Sequence, residues 1–138
     1  MRFHTRKWVK PEDLNANGTL FGGKVLAWID EEAALYSIIQ LESKKVVTKY
    51  ISEINFMSTA VEGDIVEIGM EATKFGHTSI SLNCEVRNKM THESIVTVDN
   101  IIMVNLDAQG NPAPHGKTKI EYVKDRLAKR SNEALEKA

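Results

Sequence analysis

Cysteine occurs once in the 138 residues, at Cys84, so no disulfide can form within the chain, and a reducing compartment fits better than a secreted, bridge-stapled scaffold. Proline is scarce too: of three, Pro112 and Pro114 fall in one segment, DAQGNPAPHG, which leaves the rest free to form long regular elements. Neither sign of charge prevails, with 18 Lys plus Arg against 19 Asp plus Glu, so the chain has no overall field to draw a polyanion and nucleic acid is not an expected partner. Long apolar runs are missing. The most apolar stretch, residues 20–41, is interrupted by Lys24, Asp30, Glu31 and Glu32, and MRFHTRKWVK at the start has no apolar signal core. The expectation is a cytoplasmic protein that does not enter membranes.

Several chemistries lack their residues. His4, His77, His92 and His115 are scattered without an HExxH or CxxC partner, so no metal site is expected. There is no GxGxxG, no Gly-Lys-Ser/Thr and no GxSxG, which removes dinucleotide, P-loop and nucleophile-elbow readings. Cys84 alternates with Ser81, Asn83 and Glu85 on the apolar side of SISLNCEV, where an inert buried thiol is expected rather than a nucleophile.

With 42% hydrophobic and 27% charged residues, the composition is that of one globular domain able to build a core unaided. FHTRKWV (3–9) reads as a short strand and PEDLNANG (11–18) as an irregular loop. GGKVLAWIDEEAALYSIIQLES, free of proline and rich in alanine, predicts a helix from Gly22 or Gly23 to Glu42 or Ser43. Residues 46–56, 64–75, 78–89 and 93–106 read as four strands joined by short turns, hence antiparallel neighbours. A linker at 107–116 leads into a charged amphipathic helix over 117–138 with Ile120, Val123 and Leu127 at helical spacing; its basic residues are matched by acidic ones, as on a solvated face. The fold class is α+β: an antiparallel sheet with one face against a buried helix.

Apolar residues cover most of the first helix, as expected of a helix enclosed by protein. Projection at about 100° per residue sets Leu26, Ala33, Ser37 and Leu41 around Asp30, with Ala27 and Ala34 beyond, so Asp30 is expected to be partly buried. Periodicity leaves two readings of this acid: a general base or nucleophile, or a carboxylate that caps a loop or faces solvent beside Glu31 and Glu32. The Gly22–Gly23 pair likewise serves either close packing or an oxyanion-binding helix start. Trp28, Ile29 and Tyr36 read as core or dimer contacts.

The run PEDLNANGTLFGGKVLAWIDEEAA resembles the signature of the hotdog-fold acyl-CoA thioesterases of the cytosolic acyl-CoA hydrolase type, in which an N-x-x-G-x-x-(F/H)-G-G loop leads into a helix bearing an acid. VVTKYISEINF, VEGDIVEI and FGHTSISLNCEV are similar to the same family's later strands in order, so the resemblance spans roughly residues 3–106. It implies a curved antiparallel sheet wrapped around a central helix over residues 1–116. It also implies a homodimer joined edge to edge, assembling further to a tetramer or hexamer, and hydrolysis of acyl-CoA with no cofactor.

By the same resemblance Asp30 is the helix acid, Asn15 the loop residue lining the site from the other subunit, Gly23 the amide that polarises the thioester carbonyl, and Thr48 a supporting neighbour of the acid. Gly22, Gly76, His77, Thr78 and Ser79 correspond to positions near CoA, with an exposed turn histidine as the other reading of His77. The chain departs from the pattern at His77, where many relatives are basic, before Gly63–Asp64, where many carry proline, and at Leu14, where a small polar residue is common. Two other functions are compatible with such a fold: an acyl-CoA sensor without turnover, or a dehydratase. The second needs a histidine, and Pro11 to Ser43 holds none.

Overall fold

The computed structural model describes residues 1–121. The elements run β1 (Arg2–Trp8), a single 3₁₀ turn (Pro11–Asp13), α1 (Gly22–Leu41), β2 (Val46–Ile51), β3 (Ile54–Phe56), β4 (Ile65–Phe75), β5 (Ser79–Asn88) and β6 (Ser94–Asn105). All strand pairs are antiparallel and the sheet order is β1-β4-β5-β6-β2, with β3 also on β6. One helix against one face of a six-stranded antiparallel sheet is the α+β hotdog arrangement that the resemblance implies.

The alternation in β5 does what its sequence dictates. Ile80, Leu82, Cys84 and Val86 are buried and the residues between them are not. From β4, Val66, Ile68 and Met70 join the same core, and from α1 come Val25, Trp28, Ile29, Ala33 and Leu41. Tyr36 packs against this core while its hydroxyl accepts the Ala72 N–H at 3.0 Å. The helix ends where the chain enters the left-handed region at Glu42 (φ 52°), whose amide, with that of Ser43, bonds back to the Ile38 carbonyl.

Residues 46–56, expected as one strand, form two. At Ser52 the backbone N–H still reaches the Asn100 carbonyl at 2.8 Å, but the return bond is made by the side chain: Asn100 N–H donates to Ser52 Oγ at 3.0 Å. A hydroxyl substituting for a carbonyl lets the chain bend between β2 and β3 while both stay on the twelve-residue β6.

The proposed helix over 117–138 lies largely outside the described residues; 117–121 have no regular secondary structure. The segment after β6 crosses the β4–β5 turn. The Asn105 amide donates to the Ala113 carbonyl at 3.0 Å, and Lys117 pairs with Glu42 at 3.2 Å at the far end of α1. Among the described residues no helix is long and apolar enough to cross a membrane.

Candidate active site

Asp13 organises the approach to α1. Its Oδ2 accepts the Lys10 N–H at 2.9 Å, its carbonyl accepts the Phe21 N–H at 2.8 Å, and its Oδ1 lies 3.3 Å from the Lys24 ammonium in the first turn of the helix. The side chain is fully buried. Burial alone would push the carboxyl pKa up, but the Lys10 amide and the Lys24 charge outweigh it and hold Asp13 below the ordinary aspartate value. A group depressed on folding stabilises the fold at pH values above its unfolded pKa of about 3.9 and loses that contribution as pH falls through the lower folded value. Asp13→Asn is therefore expected to cost about 1.5–3 kcal/mol at neutral pH. Urea unfolding at a series of pH values checks this, and the gap from wild type should close under acid. Sequence reading passed over this residue; its signal is an acid closing a Pro-Glu-Asp turn with a lysine in the first turn of the following helix.

The loop that Asp13 anchors is shaped by Asn15. Asn15 Oδ1 accepts the Asn17 N–H at 2.9 Å and the Thr19 N–H at 3.2 Å, and Nδ2 donates to Thr19 Oγ1 at 2.9 Å. The loop then delivers two glycines to the helix start. Lys24 and Val25 N–H close onto the Phe21 carbonyl, whereas the Gly22 and Gly23 amides have no acceptor among the described residues. A Cβ at Gly23 would lie 2.7 Å from the Phe21 ring, so only glycine lets that ring fold back over the helix start. Gly22, not Gly23, borders a cleft of about 480 Å³, lined also by the polar Asn15, Thr19, Ser58 and Thr59, by the exposed Phe56 and Met57, and by Leu20, Val25, Ala60, Ile95 and Val96.

Asp30 lies two turns further along α1. Thr48 Oγ1 donates to Asp30 Oδ1 at 2.5 Å, so the threonine and the acid are brought together. Thr48 shares the phase of Val46 on the helix side of β2, and a bulge at Lys49 then pairs Tyr50 with Ile102, which turns Ile51 toward the helix as well although strict alternation would turn it away.

The expectation that Asp30 is partly buried does not hold in the single protomer, where it is exposed. The sheet covers the row Val25, Ile29, Ala33, Ser37 and Leu41; Asp30 falls about 100° beyond Ile29, at one margin of the uncovered face with Ala27, Glu31 and Ala34, and Leu35 and Ile39 lie at its other margin, about 140° and 180° round from Asp30. Leu35 and Ile39 are 46% and 56% exposed, so the helix is apolar on two faces and only one is covered within the protomer. The buried acid is instead Glu32, which accepts the Thr5 hydroxyl at 2.5 Å.

The remaining candidates lie elsewhere. Gly76, His77, Thr78 and Ser79 form the β4–β5 turn, with His77 exposed and the Gly76 N–H on the Ser79 carbonyl at 2.8 Å. That carbonyl also lies 2.8 Å from His115 Nε2. Ser79 faces Val104 of β6, and Val104 faces Val47 of β2, so this turn sits at the end of the sheet where β2 begins and does not border the Asn15–Gly22 cleft. Nor does Asp30. Cys84 is buried, and burial, with the nearby charges of Glu32 and Glu85, pushes its thiol up to about 12, leaving it protonated and unreactive. Among the described residues no three His, Cys, Asp or Glu side chains converge as a metal site would require.

Comparison with known proteins gives a consistent result. The family model of the Thioesterase superfamily matches residues 17–95, which include Gly22, Gly23, Asp30, Thr48 and the 76–79 turn. The acyl-CoA thioester hydrolase YciA of Salmonella typhimurium is 33% identical over 115 residues, covering 79% of this chain and 86% of that protein. An uncharacterized acyl-CoA thioester hydrolase of Buchnera aphidicola is 36% identical over 76 residues, and the chain spans 56% of its length. Among solved structures, a hexameric thioesterase from Yersinia pestis superposes with a TM-score of 0.76 at 28% identity, over 82% of this chain and 93% of that one. An apo hexameric acyl-CoA thioesterase does so at 0.70 and 34% identity, over 96% and 85%.

Proposed function

The chain belongs to the thioesterase superfamily, and from that premise we propose that it hydrolyses acyl-CoA to a free carboxylic acid and CoA, with Asp30 as the reacting carboxylate. One observation carries the reading: an acid with no charged partner among the described residues, oriented by the Thr48 hydroxyl on Oδ1, stands on an exposed helix face with no hydrogen bond to its second oxygen among those residues. Oδ2 takes a proton from water attacking the thioester carbon, or itself attacks that carbon. The carbonyl oxygen gains charge as the tetrahedral intermediate forms, and the unpaired amides at the start of α1 are the donors suited to receive it. Collapse breaks the C–S bond. Where Oδ2 acted as base, the sulfur leaves with the proton Asp30 took from water and the acid product departs; where Oδ2 attacked, the thiolate leaves, and a water then opens the acyl–Asp30 anhydride, releasing the acid, restoring the carboxylate and supplying the proton the thiolate takes up. Water is the only co-reactant this sequence of steps consumes, so no metal or cofactor is assigned.

The site is completed by a second copy of the chain. Asp30 and the Asn15–Gly22 cleft are separate in one protomer, and Val47 and Tyr50 on the edge strand β2, whose Thr48 holds Asp30, are exposed. An unpaired sheet edge carrying exposed apolar side chains calls for a partner. Pairing two copies through β2 covers that edge, takes Asp30 out of bulk water, and sets Asn15 of one protomer across from Asp30 of the other. The dimer is expected to assemble further, as the hexameric relatives do. A reducing cytoplasm suits a chain with one inert thiol.

The defining experiment is thiol release from acetyl- to dodecanoyl-CoA, followed with a chromogenic disulfide. Turnover of at least part of the series is the expected result; tight binding without thiol release identifies a sensor and contradicts the assignment.

A further inference from the structure

We infer that Asp13 is a positioning residue for the hydrolysis: it holds the residues on either side of the Gly22–Gly23 pair and so fixes the direction in which those two amides point. The inference rests on the thioesterase reading and adds to it a residue that acts without touching the substrate. Glycine has the widest choice of backbone angles and no side chain by which neighbours can hold it, so the aim of two consecutive glycine amides is set by what holds the chain before and after them. Before them stands Phe21, whose N–H donates to the Asp13 carbonyl at 2.8 Å. After them stands Lys24, whose ammonium lies 3.3 Å from Asp13 Oδ1. A single residue grips both ends, the first through its backbone and the second through its side chain.

Asp13 is itself firmly seated. Its side chain is fully buried, Oδ2 accepts the Lys10 N–H at 2.9 Å, and its own N–H donates to the Lys10 carbonyl at 2.9 Å. From there the chain runs out and back as a closed loop, with Leu14 bridged to Leu20 and the Asn15 N–H on the Thr19 carbonyl at 2.8 Å. The Asp13–Phe21 bond closes the base of that loop. An amide that receives a developing oxyanion works by being aimed in advance, and losing such a donor altogether costs about 10²–10³ in kcat. A donor that stays but is less well aimed forfeits part of this, and about tenfold is expected. KM is expected to stay within about twofold, because the donor is worth more to the charged intermediate than to the bound thioester.

The test measures kcat, KM and the urea midpoint of the full-length chain, with an acyl-CoA that wild type turns over, for Lys24→Met, Lys24→Arg and the double variant Asp13→Asn/Lys24→Met. Lys24→Met cuts the side-chain grip and leaves the Asp13 carboxylate buried without its partner, so stability and kcat both fall. The double variant removes that unpaired charge. Its stability is expected to recover relative to Lys24→Met while kcat remains about tenfold below wild type, a split that a merely structural role would not give. Lys24→Arg keeps the pair and is expected to have kcat within about twofold of wild type. Should Lys24→Met fail to fold, the double variant carries the same expectation for kcat. Wild-type kcat in the folded Lys24→Met or double variant overturns the inference, as does a Lys24→Arg as slow as Lys24→Met. A raised KM with unchanged kcat also overturns it, since Lys24 would then be touching the substrate. All these outcomes leave the enzymatic reading standing; absence of turnover by wild type on every acyl-CoA overturns both.

Discussion

Asp30→Asn is expected to lower kcat for acyl-CoA hydrolysis by about 10³-fold while the protein folds and assembles as wild type does. The size of the effect follows from the chemistry: an amide neither takes a proton from water nor attacks a thioester carbon, so the step in which the C–O bond forms loses its base or its nucleophile. The integrity of the fold follows from the structure. Asp30 is exposed in the protomer, among the described residues its one hydrogen bond comes from Thr48, and the Asn oxygen can accept that bond unchanged. KM is expected to move little, because the carboxylate is assigned to the bond-forming step and not to holding the substrate. Steady-state kinetics with circular dichroism and a thermal melt as controls decides the matter; a folded Asp30→Asn with near-full kcat removes the carboxylate from the reaction.

Val47→Glu combined with Tyr50→Glu is expected to reduce the assembly to single chains and to reduce activity in proportion. Both side chains are exposed in the protomer on the edge strand β2, so charges there cost the isolated fold little. In a dimer joined through β2, like charges from the two copies face each other along the seam, which is the device by which sheet edges are kept from pairing. Light scattering with size-exclusion chromatography gives the mass of the variant, and the thiol-release assay on the same fractions gives its activity. A variant that stays assembled places the interface elsewhere, and one that is monomeric and fully active shows that a single protomer holds the whole site.

The sheet and its helix were legible because their signals are local. Alternation in SISLNCEV fixes which face of β5 is buried, and a proline-free, alanine-rich run opening on two glycines marks α1, whose end at Glu42 (φ 52°) carries no such signal in the residue type. The Thr48–Asp30 contact came only through family resemblance, since periodicity does not say which strand residue meets a given helix residue 18 positions away. The burial of Asp30 was misjudged for a related reason: α1 is apolar on two faces, and a helical projection cannot say which is covered by its own sheet and which is left for a second chain. The break at Ser52 and the anchoring of the loop by Asp13 are products of side-chain to backbone bonds between distant segments, which leave little trace in composition.

The account stands on a site divided between two protomers, and subunit complementation tests this directly. Asn15→Ala and Asp30→Ala chains, each inactive when pure, are co-expressed with different tags and the mixed assemblies isolated. Every mixed dimer then holds one site with both residues intact and one with neither. The expected result is recovery of hydrolysis in mixed dimers to about half the wild-type rate per dimer. Mixed assemblies as inactive as the pure variants would show that Asn15 and Asp30 act within one chain, or not together at all, and would contradict the account.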